Sequence, residues 1–284
     1  MKTIQYGFLF VVNFIFFIHF IDLWAKPIER MGPKIVITNM KRTDGFGSNM
    51  LRIMAAGLYA ELNNYEFFYQ PFETMEHNYS GNANDPAFLS KKESIINCIN
   101  NFPTLDKAIA AGYRINADDH LAFLNAKRYE FAESSFLKKM RSLFRVGKNK
   151  SDYFDDHYYN IAVHIRRPNA HDCCVYGTDV PSEIYSTAIR KLREIYSDKK
   201  PLLFHIFSQG NENDFKEFIA PDTIFHINED SNDTYIAMAF ADVLIAGRSS
   251  FGYTAGYFNE GIVYYVSYFH ATLPHWIAIE QLLN

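Results

Sequence analysis

Several signatures that would each have named a chemistry are missing from this sequence. It has no Asp-x-Asp pair, and so lacks the usual two carboxylates that hold a divalent ion against a diphosphate. It has no Gly-x-x-x-x-Gly-Lys-Ser/Thr loop, no His-Glu-x-x-His and no Gly-x-Ser-x-Gly. P-loop phosphoryl transfer, helix-borne zinc hydrolysis and the serine nucleophile elbow are thereby set aside. Three cysteines, Cys98, Cys173 and Cys174, make neither a disulfide scaffold nor a zinc spacing; at most Cys98 pairs with one of the adjacent two. A net charge of -4 with no basic stripe gives no footprint for nucleic acid. No internal repeat or low-complexity tract is present.

Apolar and aromatic residues are plentiful. Hydrophobic residues make up 48% of the 284, ample for a core, and the 26 Phe and 19 Tyr suit cores and carbohydrate-stacking surfaces alike. Gly7 to Ala25 is an apolar segment flanked by Lys2, Lys26 and Arg30, close to the roughly 20 residues that span a bilayer. Asn13, His19 and Asp22 weaken a spanning helix, while Leu23-Trp24-Ala25 is a passable cleavage site. A cleaved signal and an uncleaved anchor both remain open. Either expectation puts the rest in the secretory pathway, as a single-pass type II protein of the Golgi or ER membrane, or secreted. Sequons at Asn78, Asn149 and Asn232 are compatible with that.

The domain reading is residues 1–33 as signal or anchor plus linker, 34–150 as a first α/β domain and 151–284 as a second, with the polar Gly147–Asp156 stretch between them. Lys34–Asn39 reads as a strand, followed by the turn Asp44-Gly45-Phe46-Gly47-Ser48-Asn49. A helix from Met50 to Leu62 follows, with Ser48 or Asn49 as its N-cap. The turn lacks the third glycine of a dinucleotide fingerprint. Glu66–Tyr69 reads as a short strand, residues 71–117 as irregular with helical pieces, and Phe131–Phe144 as one helix with a solvated basic face. From Tyr159 the alternation becomes regular. Strands 159–165, 202–208, 223–227, 243–246 and 262–266 are separated by helices 182–196, 212–218, 233–241 and 250–259. That alternation predicts βαβ units and a parallel, right-handed wound sheet.

The densest chemistry sits where the first of those strands ends, at His164-Ile165-Arg166-Arg167-Pro168. Ligands of open α/β sheets bind beyond the carboxyl ends of strands, and paired guanidinium forks there suit phosphate oxygens. Gly247-Arg248-Ser249-Ser250-Phe251 lies at another such end, where a helix begins and its N–H groups and hydroxyls could cradle a phosphate. On residues alone, His164 reads more readily as a core histidine in a buried strand than as a ligand, and Asp242 reads also as a helix-end turn residue.

His164-Ile165-Arg166-Arg167 resembles the His-x-Arg-Arg element of the fucosyltransferases that use GDP-fucose, a superfamily holding the α1,2-, α1,6- and protein O-fucosyltransferases. Gly45-Phe46-Gly47-Ser48-Asn49 is similar to the glycine turn of their acceptor-side domain, and Ala241 to Phe251 to their third block. The three occur in the family's order across residues 34–270. Ser-Ser-Phe looks most like the α1,2 branch and Gly177-Thr178-Asp179 like the α1,6 branch. The sequence departs from the pattern at Pro168-Asn169, where many relatives carry Gly-Asp or Thr-Asp. The resemblance implies a GT-B-like α/β fold of two Rossmann-like domains. It implies an inverting transfer of fucose from GDP-fucose to a glycan or protein hydroxyl, with neither metal nor cofactor. It would give Arg167 the β-phosphate, with Arg166 assisting and His164 supporting, Ser249, Ser250 and Phe251 at the donor, and Asp242 at the guanine edge. Gly45, Gly47 and Asn49 would form the opposing turn. Asp179 would be the catalytic base, ahead of Asp172 and Glu183. The other readings are a same-fold transferase using another nucleotide sugar and a non-catalytic glycan-binding protein.

Overall fold

The computed structural model of the protein describes residues 33–78, 81–167 and 179–284. The Gly7–Ala25 segment, Asp172, Cys173 and Cys174 lie outside the described residues, among which no helix is long and apolar enough to cross a membrane. Cys98 is buried and carries a free thiol.

The first half comprises β1 (Ile35–Thr38), α1 (Phe46–Leu62), β2 (Glu66–Phe68), α2 (Pro86–Ile96), α3 (Leu105–Ala110), β3 (Arg114–Asn116), α4 (Leu121–Ala126), α5 (Arg128–Glu133) and α6 (Ser135–Arg145). Its strands pair in parallel, in the order β2-β1-β3. The second half comprises β4 (Tyr159–His164), α7 (Ser182–Ile195), β5 (Leu202–Ser208), a 3-10 turn (Glu212–Phe218), β6 (Thr223–Ile227), α8 (Ser231–Phe240), β7 (Val243–Ala246), α9 (Ser250–Phe258), β8 (Ile262–Tyr265), β9 (Ile277–Ala278) and α10 (Ile279–Leu283). All six strands are parallel, in the order β6-β5-β4-β7-β8-β9. The chain therefore enters this sheet at its centre, winds outward through β5 and β6, and returns to start again at β7. The reversal between β4 and β7 is the topological switch point at which such sheets open a ligand crevice.

Strand residues divide by parity between two cores, as a period of two demands. Ile161, Val163, Val243 and Ile245 face one core with α7 and α10, while Ala162, Leu244 and Ala246 face the other with α8 and α9. The second of these cores does not stop at the sheet's own helices. It runs on through α1 and α6, with Phe144 stacked on Phe258 at 4.5 Å and Phe131 edge-on to Tyr257 at 5.1 Å. Every residue of α9 from Gly252 to Phe258 is buried, and a helix apolar all round needs neighbours on all sides. Ile35–Asn284 accordingly forms one compact unit with two parallel sheets, although the polar stretch 147–156 separates the sheets in the chain.

Local differences from the expected elements have local causes. Residues 131–144 form two helices because Ser134 turns extended (φ -61, ψ 145) and its Oγ accepts from the Leu137 N–H at 3.1 Å, capping α6. The basic face of α6 is not merely solvated, since Arg141 Nε donates to the Tyr257 carbonyl at 2.7 Å. The Asn232 sequon is folded inward: Asn232 is buried and donates to the Lys91 carbonyl at 2.9 Å.

Candidate active site

β4 is buried from Asn160 to His164 and delivers His164, Ile165, Arg166 and Arg167 to the carboxyl edge of the sheet at the switch point. The turn after β7 lies flush against it. A Cβ on Gly247 would sit 2.5 Å from the His164 carbonyl oxygen and 2.6 Å from Tyr185 Oη. One on Gly252 would sit 2.6 Å from His164 Nδ1. From the other half of the chain, α1 begins earlier than expected, at Phe46, because the glycine turn itself forms the helix's first turn with Gly45 as N-cap. Ser48 N–H and Asn49 N–H both donate to the Gly45 carbonyl, at 3.1 and 3.2 Å. A Cβ on Gly47 would lie 2.4 Å from Phe251 N. The first turns of α1 and α9 thus abut, backbone to backbone. The α1 start has no side-chain cap, while α9 is capped by Ser249 Oγ, which accepts from Phe251 N–H at 3.2 Å. Each helix start carries about half a positive charge.

These two helix starts open on a cleft of about 380 Å³. Six cationic side chains line it (Arg42, Arg52, Lys92, Arg166, Arg167 and Arg248) against three carboxylates, Asp44, Glu76 and Glu229. In a protein of net charge -4, that concentration of positive charge marks an anion site. Arg167 Nη2 donates to Ser182 Oγ at 2.9 Å, Arg167 Nη1 lies 3.4 Å from Asp179, and the guanidinium stands 5.5 Å from the Phe215 ring. Arg52 reaches Ser48 Oγ at 3.2 Å and Asp119 at 3.1 Å, and Arg248 Nε donates to the Ser267 carbonyl at 3.0 Å. Lys92 is the deepest of the six, at 4% exposure. Its ammonium donates to Ser231 Oγ and Asn232 Oδ1 and stands 5.3 Å from the Phe88 ring. Burial pushes its pKa down to about 8 against the pull of Asp230. A buried ammonium with neutral contacts is stabilised by a bound anion.

Several expected residues take their places here. Gly45, Gly47, His164, Arg166, Arg167, Ser249, Ser250 and Phe251 all line the cleft. His164 is a neutral imidazole, its pKa pushed to about 3 by burial and by Arg166, and its Nδ1 has no hydrogen-bond partner among the described residues. Phe251 lies between His164 and Tyr235, at 6.0 and 5.1 Å. Ser250 Oγ pairs with His270 Nε2 at 2.8 Å, and burial and Arg52 push His270 down to about 4.

Three expected residues do not line the cleft. Asn49 is buried behind it, its amide clamping the Asp44 and Gly45 carbonyls at 2.9 and 3.3 Å. Asp242 is at the wrong edge of the sheet. It precedes β7, so it lies at the amino ends of the strands, where it pairs with Lys150 and accepts the Asn160 N–H at 2.9 Å. It cannot read a base held at the carboxyl ends. Asp179 is exposed and partners Arg167. Conversely, Arg52, Lys92, Glu229 and His270 had no role in the sequence reading. Arg52 lies one turn beyond Ser48 and Glu229 just beyond a strand end, so both carried a positional signal. Lys92 carried none.

No protein-family profile and no curated protein matches the sequence. Solved structures give likenesses of at most 15% identity among the three that follow, with TM-scores below 0.5, and the cleft's own residues carry the functional reading. The chain is similar to the NodZ α-1,6-fucosyltransferase co-crystallised with GDP (15% identity, TM-score 0.41, covering 80% of this chain and 92% of that one). It is similar to an Arabidopsis thaliana FUT1 mutant in complex with GDP (11%, 0.40, 88% and 73%). It is likewise similar to POFUT1 in complex with GDP (10%, 0.42, 83% and 99%).

Proposed function

We propose that the cleft binds a nucleoside diphosphate sugar, GDP-fucose first among them, and transfers the sugar with inversion to a glycan or protein hydroxyl. The observation that carries this is the meeting of two helix starts with Arg166, Arg167 and Arg248 at the switch point of a doubly wound sheet. Such a site matches a diphosphate in charge and geometry. As the glycosidic bond breaks, negative charge builds on the diphosphate, and fixed guanidinium and N–H dipoles stabilise it without reorganising. Arg167 is held in place for that task by Ser182 and the Phe215 ring.

The nucleoside extends along the carboxyl edge past Ser208 and Gln209 towards Glu229 and Lys92, which line the same cleft. Glu229 takes the role expected of Asp242. A carboxylate accepts from the N1–H and N2–H₂ donors of guanine, while an ammonium donates to its O6 and N7. The acceptor hydroxyl approaches from the opposite wall, and Glu76 is the acid suited to take its proton. Asp44 is committed to Ser48 and Arg42, and Glu229 to His226. Arg166, Arg167 and Arg248 supply charge neutralisation to the diphosphate in this reading.

Thermal-shift titration with GDP, UDP and ADP, with and without chelator, tests the reading. GDP should stabilise the protein most, and chelator should leave that unchanged. Equal shifts from all three nucleotides would remove the guanine assignment, and no shift from any would remove the diphosphate site.

A further inference from the structure

Behind the wall formed by the ends of β5 and β6 runs a chain of polar side chains that binding a diphosphate does not explain. Asn160, fully buried in β4, points its amide nitrogen at the carbonyl oxygens of Asp155 and Tyr158, at 3.0 and 3.1 Å. Reversing that amide would set an oxygen against two carbonyls, so Oδ1 is the atom that faces His205 Nε2 at 3.1 Å. His205 Nε2 must therefore carry a hydrogen. Burial and the neighbouring His226 keep the His205 imidazole neutral, so its Nδ1 presents a lone pair. That lone pair faces His226 Nε2 at 3.0 Å, which must donate in turn. The last atom of the chain, His226 Nδ1, stands 2.9 Å from Glu229 Oε2. Two acceptors do not meet at that distance; a proton lies between them.

We infer that His226 is a positioning residue for the cleft: anchored through His205 to Asn160, it carries both ring protons and holds the Glu229 carboxylate at the ligand wall. The ring is braced by Phe207, stacked at 4.5 Å and 15°, and Phe207 itself lines the cleft. The groups that meet the His226 ring are the neutral His205 from β5 and Glu229 from the loop after β6, and the next residue, Asp230, is paired with Lys91. His226 is the only basic side chain in contact with the Glu229 carboxylate among the described residues. Without that shared proton two lone pairs would face each other and Glu229 would lose its place at the ligand wall. What Glu229 meets in the ligand rests on the nucleotide reading above; the proton itself does not.

Two measurements on the full chain separate these. Nitrogen-15 NMR of the ligand-free protein at about pH 6 to 7 should show His226 protonated at both ring nitrogens and His205 at Nε2 alone. A neutral His226 ring in that range would overturn the inference whatever the ligand is. GDP titration should then show His226→Gln binding about tenfold more weakly than wild type, because the variant cannot hold both His205 and Glu229 as the ring does. Equal affinity in the two proteins would sink the positioning role. If the variant does not fold, the wild-type ring spectrum decides alone. Failure of GDP to bind at any pH, with His226 doubly protonated, would remove the nucleotide reading and leave the inference standing.

Discussion

Gly47→Ala tests the junction on which the anion site depends. An alanine Cβ at this position would lie 2.4 Å from Phe251 N and from the Ser250 carbonyl carbon, and 2.7 Å from Phe251 Cα. The van der Waals optimum is about 3.5 Å or more, so the overlap is about 1 Å. Every atom it meets is backbone, so no rotamer change can relieve it. The opposing chain is also tied down, by the Ser249 cap and by Tyr253 N–H donating to the Ser249 carbonyl at 3.0 Å. Replacing glycine by alanine within a helix favours folding by at most about 1 kcal/mol, and less in a first turn. Overpacking costs about 1–3 kcal/mol, so it wins. The variant should lose about 1–2 kcal/mol, a melting point about 2–8 °C lower for a chain of this size. Moving two helix starts apart should also weaken anion binding, since each contributes about 0.3–1 kcal/mol. GDP affinity should therefore drop by about two- to tenfold, measured by calorimetric titration. Gly112→Ala is the control. Gly112 has φ +69 and nothing within 4 Å of its Cβ position, so the variant should lose about 1–2 kcal/mol to left-handed strain alone. Its GDP affinity should not change. If Gly47→Ala binds GDP as Gly112→Ala does, the close approach of the two helices is not what builds the site.

The remaining expectations concern single side chains. Arg167→Lys should lose about 100- to 1000-fold in kcat, because an ammonium cannot reproduce the fork that stabilises a departing diphosphate; near wild-type turnover would contradict the assignment. Asp242→Asn should cost about 1–3 kcal/mol of stability by disturbing the Lys150 and Asn160 contacts. It should leave the preference for GDP over ADP intact, and a lost preference would restore Asp242 to the site. Lys92 is charged less readily folded, at about 8, than unfolded, at 10.5. Between those values the unfolded chain binds more protons, so stability should rise with pH by about 3 kcal/mol from this group. Denaturant melts of wild type against Lys92→Met at about pH 8 and 10 should show the rise only in wild type. Glu76→Gln should depress kcat about 100-fold while Asp179→Asn does not, and the reverse result would return the base to Asp179.

The amino-acid sequence by itself determined the second sheet almost strand by strand. Residues of β4, β5 and β7 are buried on both faces, so they must be continuous apolar runs, and turn residues mark where each run ends. It also determined that Arg166, Arg167 and the Gly247–Ser250 turn share one edge, because all carboxyl ends of a parallel sheet do. The same rule places Asp242 on the far edge, since it precedes its strand; resemblance alone had suggested otherwise. Tertiary structure decided what periodicity does not encode. A hydrophobic pattern specifies which face of an element is covered, not which distant polar group arrives beside it. Lys92 and its partners Ser231 and Asn232 stand 139 and 140 residues apart in the chain, and only the packing of α2 against α8 brings them together. The contact of Gly47 with Phe251 likewise exists only once both halves have closed on one core, and the run of hydrogen bonds from Asn160 to Glu229 only once β4, β5 and β6 have paired.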